Sequence, residues 1–385
     1  MTARASPVRR RFEHFDSLRG LAVLAVLAFH VASMTDHIGR GITGRLVAPL
    51  GTVGVSIFFV LSGFLLYRPH VAARRSLGPE PRGIVDYLRR RALRILPPYW
   101  TALTLLAIFP GIVGVFTSDF WRYYGLLQIY WTDTVGGGLV VAWTLCVEVS
   151  FYLVLPFWAL IAKRARSERG DVVALLLVVV LSGAVAVATM RHGVSYLVGI
   201  SLAGQAIWFA LGMLLAHASV SGTERLRTLA EGHAVALWCL AAASLGGLAL
   251  LTPGSGFAAW LFAQGVPASM PVALTKIVLL LVLCAAFVLP AVFGQERRDL
   301  PRRLLAWRPV RWLGTVSYGL FLYHLTVAEW LWVHEDPVHF SAPGLGLIDR
   351  LGPGATATMF VITLAASLPL AWLSYQLIER HATRR

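Results

Sequence analysis

The 385-residue chain is short of charge: 14% of its residues are Asp, Glu, Lys or Arg, against 57% hydrophobic. A soluble domain carries roughly 25% charged residues, so most of this surface cannot face water. Cysteine is scarce as well. Cys146, Cys239 and Cys284 lie singly inside apolar runs with no Cys-x-x-Cys pair, which argues against a disulfide framework and a cysteine metal cage. They read as small core residues. Lysine is nearly absent, two of 34 basic residues. Nothing repeats at a fixed period and no low-complexity linker interrupts the chain. No small-residue cleavage site follows the first apolar run, so a cleavable signal peptide is not expected. A soluble enzyme, a disordered protein and a disulfide-stapled secreted domain are excluded.

What is present is a series of apolar runs of about twenty residues, the length that crosses a bilayer. Ten occur, near 17–35, 47–66, 95–116, 139–162, 171–190, 196–216, 233–251, 272–293, 313–333 and 355–378. They predict an all-α integral membrane protein, a bundle of about ten transmembrane helices in a lipid bilayer. The net charge of +15 would suggest nucleic acid in a soluble protein. Here the basic residues sit in short connections, and no nucleic-acid partner is expected. Of the 34, 27 fall on the side of the N-terminus and five (Arg40, Arg45, Arg122, Arg191 and Arg350) on the other, while Arg19 and Lys276 lie within runs. The positive-inside rule makes the crowded side cytosolic, with both termini there. The reading is one membrane domain over 1–385, with a basic cytosolic N-terminus (about 1–14), a basic cytosolic loop (67–94) and no appended soluble domain. WRYYGLLQIYW (121–131) is too short to span and reads as interfacial or re-entrant. The excess of arginine over lysine, with Ala, Val, Leu and Gly dominant, points to a GC-rich bacterial source and hence to the bacterial inner membrane.

An ionisable group at the bilayer centre costs about 3 kcal/mol or more and is a functional hypothesis by default. The first run reads FDSLRGLAVLAVLAFHV (15–31). Arg19 and His30 are about 20° from eclipsed on a helix and roughly 16 Å apart along its axis, with Asp16 on the same stripe. Arg19 is either a snorkelling anchor or part of a site, and His30 either a helix–helix hydrogen bond or a base. In WTLCVEVSFYLVLPF (143–157), Thr144, Glu148 and Tyr152 share a helical face. Glu148 falls at a depth similar to His30, where a carboxylate would orient the ring and stabilise its protonated form; the alternative is a structural partner for some other donor. In YLRRRALRILPPYW (87–100), Arg89 and Arg90 read as positive-inside charge. Arg91 and Arg94 share a face beside Arg19, where guanidinium forks suit phosphate oxygens. GVSIFFVLSGFLL (54–66) supplies Ser62 and Gly63 for close packing, and LGTVSYGLFLYHL (313–325) places Ser317 and His324 two turns apart. No metal site is expected.

Taken together, these motifs resemble acyltransferase family 3, multi-pass membrane O-acyltransferases similar to those that acetylate bacterial O-antigens and exopolysaccharides or acylate macrolides. The resemblance rests on Arg19-x10-His30, GVSIFFVLSGFLL, Arg91-x-x-Arg94 with ILPPYW, WTLCVEVSFY and VSYGLFLYHL, and covers roughly 15–160 and 310–326. It implies no permanent cofactor, an acyl-CoA donor such as acetyl-CoA, and a hydroxyl on a glycan or glycosylated acceptor. It implies His30 as the catalytic residue, with Arg19, Arg91 and Arg94 on the acyl-CoA side and Glu148 matching the family's carboxylate. Thr144 stands where the family usually has Ser, and Val149-Ser150 where many members have Glu-Gln. In the expected mechanism the CoA phosphates stop at the cytosolic arginines and the pantetheine arm carries the thioester to His30. His30 acts as general base or as a covalent acyl relay, with Glu148 stabilising the imidazolium. A proton-coupled transporter or flippase of a glycan or organic anion is the alternative, and a membrane sensor or scaffold a third.

Overall fold

A hydrocarbon solvent offers backbone groups no partner, so a spanning chain must satisfy them within helices, and helix is what the apolar runs form. The computed structural model describes residues 12–35, 37–192, 196–222, 224–252, 268–294, 299–333, 343–347 and 355–382. Of the predicted basic N-terminus, 1–11 lie outside the described residues, as do Arg297, Arg298, Arg350, Arg384 and Arg385 of the charge asymmetry. Among the described residues, ten long helices overlie the ten apolar runs: α1 Glu13–Met34, α2 Leu50–Arg74, α3 Ile84–Ile108, α4 Trp143–Ala165, α5 Glu168–His192, α6 Leu202–Ser221, α7 Ala234–Leu250, α8 Met270–Val292, α9 Arg308–Trp332 and α10 Thr356–Ser374. No strand occurs among the described residues.

By length and composition, seven of the described helices can cross a membrane. The count is eight if α7 and the short helix Glu224–Gly232, bent 85° from it, form one broken span. The helices outside that count are α3, whose first half carries Asp86, Arg89, Arg90, Arg91 and Arg94, and α9, which begins with Arg308 and Arg311. Outward faces are apolar, as in Val173, Leu176, Leu177, Val180 and Leu181 of α5, where lipid rather than water is the compatible solvent.

The centre is made by α1, packed against both α2 and α9, with α6 against α2 and α10 against α9. Small residues let these backbones approach. A Cβ added to Gly314 of α9 would lie 1.8 Å from the Asp16 carbonyl oxygen of α1, and one on Gly20 would lie 2.9 Å from the Gly314 nitrogen. The two helices are parallel, pairing positions 294 apart. Gly63 likewise sits against the Phe209 carbonyl of α6, 2.3 Å from an added Cβ, as its packing role requires. Phe209 stacks between Phe59 and Phe151, at 4.6 and 4.1 Å between centroids, joining α2, α6 and α4.

Two polar clusters tie the helix ends. Asp171 of α5 accepts from Tyr67 (2.5 Å), Arg74 (2.5 Å) and Trp158 (3.0 Å), and bonds to His217 Nε2 (2.8 Å). Buried Arg302, 1% exposed, donates to the carbonyls of Pro290, Ala230 and Phe293 and pairs with Asp299, satisfying orphan carbonyls of two helix ends.

Two sequence readings need correction. Residues 67–94 are mostly helical: α2 runs on to Arg74 and α3 starts at Ile84, leaving 75–83 as the connection, because arginines flanking an apolar run can extend its helix past the lipid. Cys146 and Cys284 are buried but Cys239, on α7, is exposed. Residues 121–131 form no long helix, as expected. Phe120–Tyr124 and Gln128–Tyr130 are single turns, lashed to α3 by Tyr99 and Trp100, which donate to the carbonyls of Tyr123 (2.7 Å) and Tyr124 (2.8 Å). There Arg122 stacks on Trp131 and Trp121, at 4.6 and 5.4 Å from the ring centroids. Its hydrogen bond to Asp133 (2.9 Å) holds that carboxyl below its usual range.

Candidate active site

Where α1, α2, α3, α4 and α9 converge they leave a cavity of about 490 Å³. Helical phase decides what lines it. On α4, Thr144, Glu148 and Tyr152 recur every fourth residue and all three face the space. On α3, Arg91 and Arg94 face it, while Arg90 points away to a weak pairing with Asp86 at 3.7 Å. Asp16 and Arg19 enter from the first turns of α1, Ser62 from α2, and Ser317 from α9. Nine residues singled out from the sequence therefore meet in one cavity.

Several of its polar groups are engaged, while Arg91 Nε is buried with no partner among the described residues. Arg19 pairs with Asp16 at 3.0 Å. Glu148 Oε1 accepts from Ser62 (2.7 Å) and Tyr152 (2.6 Å). Thr144 and Ser317 donate to the carbonyls of Val141 (3.0 Å) and Gly314 (2.8 Å). Three guanidinium groups facing a few carboxylates and hydroxyls inside a water-poor bundle suit an anion with several oxygens, such as a phosphate ester.

The cavity also uses residues the sequence reading missed. Glu379, in the wide turn Tyr375–Glu379 after α10, lines it together with Tyr318 and Tyr375. Glu379 accepts from Ser374 at 3.1 Å. The available signal was an ionisable residue one position beyond the last apolar run, which sequence alone places at the membrane boundary.

His30 and His324 are not among the lining residues. The sequence pairs His30 with Glu148, and here the structure differs. His30 Nδ1 lies 2.9 Å from His324 Nε2, while Glu148 is held by Ser62 and Tyr152. Depth along a helix is legible from sequence, but azimuth between helices is not, and the parallel register of α1 and α9 sets the imidazoles side by side. Phe321 is the wall the two regions share: it lines the cavity, contacts Phe58 at 6.0 Å between centroids and lies 6.0 Å from the His324 ring.

The family described as an acyltransferase domain matches residues 12–376. The exopolysaccharide production protein ExoZ of Rhizobium meliloti is 27% identical over 369 residues, 93% of this chain and 95% of that protein. The peptidoglycan O-acetyltransferase OatA of Listeria monocytogenes is 24% identical over 355 residues, 83% of this chain and 50% of that protein, so the chain spans about half of OatA. The acyltransferase MdmB of Streptomyces mycarofaciens is 26% identical over 170 residues, 41% of this chain and 42% of that protein. No solved structure matches the chain. The match over nearly its whole length, on a multi-pass helical bundle whose motif residues gather in one cavity, makes the chain a member of acyltransferase family 3.

Proposed function

We propose that this protein is a bacterial inner-membrane O-acyltransferase that moves an acyl group, acetyl in the simplest case, from acyl-CoA to a hydroxyl of a glycan or glycosylated acceptor. The observation that carries this is the cavity holding Arg19, Arg91 and Arg94 together with Glu148, its far wall shared with the His30–His324 pair. The names of the relatives, an exopolysaccharide protein and a peptidoglycan O-acetyltransferase, support a glycan acceptor. In this reading all ten long helices belong to the membrane domain, which covers 1–385, and both termini are cytosolic.

The donor phosphates bind the three arginines at the cytosolic end. Glu148, anchored by Ser62 and Tyr152, balances the arginine charge and keeps the guanidinium forks separated when the donor is absent. Asp16, Thr144, Ser317 and Tyr152 complete the polar lining. The thioester passes Phe58 and Phe321 to reach His30. His30 takes the proton of the acceptor hydroxyl, the oxygen attacks the thioester carbonyl, the carbon–sulfur bond breaks, and the CoA sulfur leaves with that proton. General-base catalysis of this kind contributes ~10²–10⁴-fold. In the relay variant the His30 nitrogen attacks first and carries the acyl group to the acceptor.

The test uses detergent-solubilised protein, where transfer is measurable and transport between two compartments is not. Acetyl-CoA-dependent acylation of a de-O-acetylated bacterial polysaccharide is expected, lost in His30→Ala with acetyl-CoA binding retained. Full turnover in that variant would remove His30 from the chemistry. Rapid quenching with labelled acetyl-CoA and no acceptor separates the routes, since label on His30 marks the relay.

A further inference from the structure

Two imidazoles in hydrogen-bond contact have one proton between them, and the ring that holds it decides which nitrogen is left for chemistry. In His324 the backbone dictates the answer. Its Nδ1 lies 3.0 Å from the Leu320 carbonyl oxygen and 2.9 Å from that of Phe321. A carbonyl oxygen only accepts, so Nδ1 carries the hydrogen. A neutral imidazole has one N–H, and Nε2 of His324 therefore presents a lone pair. That lone pair faces His30 Nδ1 at 2.9 Å. The hydrogen between the rings belongs to His30 Nδ1, and the lone pair of His30 is at Nε2. Among the described residues no hydrogen-bond partner occupies that Nε2. His324 is fully buried, 0% exposed, whereas His30 is partly exposed.

We propose that His324 is the positioning residue for His30: it holds the ring in the Nδ1–H tautomer with Nε2 free, the service a carboxylate gives to histidine in other acyl-transfer sites. The inference rests on the reading of His30 as base or acyl acceptor and replaces Glu148 in the orienting role. When Nε2 takes a proton, the positive charge is shared through Nδ1–H with His324 Nε2. Behind that ring, the Leu320 and Phe321 carbonyls turn their negative ends toward it. The proton departs from Nε2 on the CoA sulfur, restoring the neutral pair. A neutral partner suits this depth, because a carboxylate here would have to be desolvated at rest, whereas two imidazoles carry charge only during turnover.

Nitrogen-15 spectra of histidine-labelled full-length protein, taken at alkaline pH where both rings are neutral, test the tautomers without any acceptor. His30 signals are assigned by their loss in His30→Gln. Protonated Nδ1 and bare Nε2 are expected in His30, and a protonated Nε2 in His30 would overturn the proposal. The second readout is acylation of His30 Nε2 by diethyl pyrocarbonate, followed by mass spectrometry. His324→Asn keeps an amide near the Nδ1 position but puts no acceptor at Nε2, and should slow the reaction about tenfold, the equivalent of one pK unit. His324→Gln, whose amide oxygen reaches the Nε2 position, should restore the rate to within about threefold. Equal loss in both variants at unchanged thermal stability would overturn the positioning role. Retained acyl transfer in His30→Ala would instead overturn the proposed function and leave the tautomers as measured.

Discussion

Arg91 and Arg94 differ from Arg89 and Arg90 only in helical phase, and phase puts the first two in the cavity. Arg91→Ala and Arg94→Ala should each raise KM for acetyl-CoA roughly tenfold or more, since a hydrogen bond to a charged group contributes about 1.5–3 kcal/mol. The change in kcat should be smaller. Steady-state kinetics decide it, and an unchanged KM in both variants would detach these arginines from the donor. This much was legible in the sequence, because a 3.6-residue period fixes which side chains share a face. Thr144, Glu148 and Tyr152 emerged the same way. The partner of His30 was not legible: equal depth made Glu148 plausible, but rotation of α1 against α4 and α9 is settled by packing. His324 was visible only as a second imidazole without a task.

The α1–α9 pair shows how an element carries the site. Both helices present glycine at their contact, and an added Cβ on Gly314 would meet the Asp16 backbone at 1.8 Å. Gly314→Ala should destabilise by about 1–3 kcal/mol through overpacking and abolish transfer as the imidazoles part. Gly246→Ala on α7, where an added Cβ meets nothing within 4 Å, should be neutral or stabilise by about 0.5–1 kcal/mol. Thermal unfolding in detergent compares the two, and equal effects would refute the close-packing account. Asp171 of α5 likewise serves four partners from α2, α4 and α6. Asp171→Asn should cost about 1–3 kcal/mol by taking the carboxylate from the partly buried Arg74, again read as a lowered unfolding midpoint. Nothing in the sequence marked Asp171, because its partners come from positions 13 to 104 residues away.

For the whole molecule, the all-helical class and the approximate limits of the apolar helices were legible because lipid permits only helices and sets their length, whereas the ten expected spans compare with seven or eight described helices able to cross a membrane. What the apolar runs did not reveal is that α3, with its arginine-laden half, and central α9 are the least lipid-like of the ten while contributing much of the cavity. If both termini are cytosolic, single cysteines placed at residues 2 and 384 should resist a membrane-impermeant maleimide in intact spheroplasts and react after permeabilisation. Labelling of either from outside would invert the proposed topology. The geometry of α1 and α9 also bears on where this chain can change length. Gly20 precedes His30 and Gly314 precedes His324 by the same ten positions, like two rulers cut to one length. Inserting one residue between glycine and histidine in either helix would swing that imidazole about 100° away from its mate. The same insertion in both would tend to cancel, whereas connections outside these paired stretches remain free to lengthen.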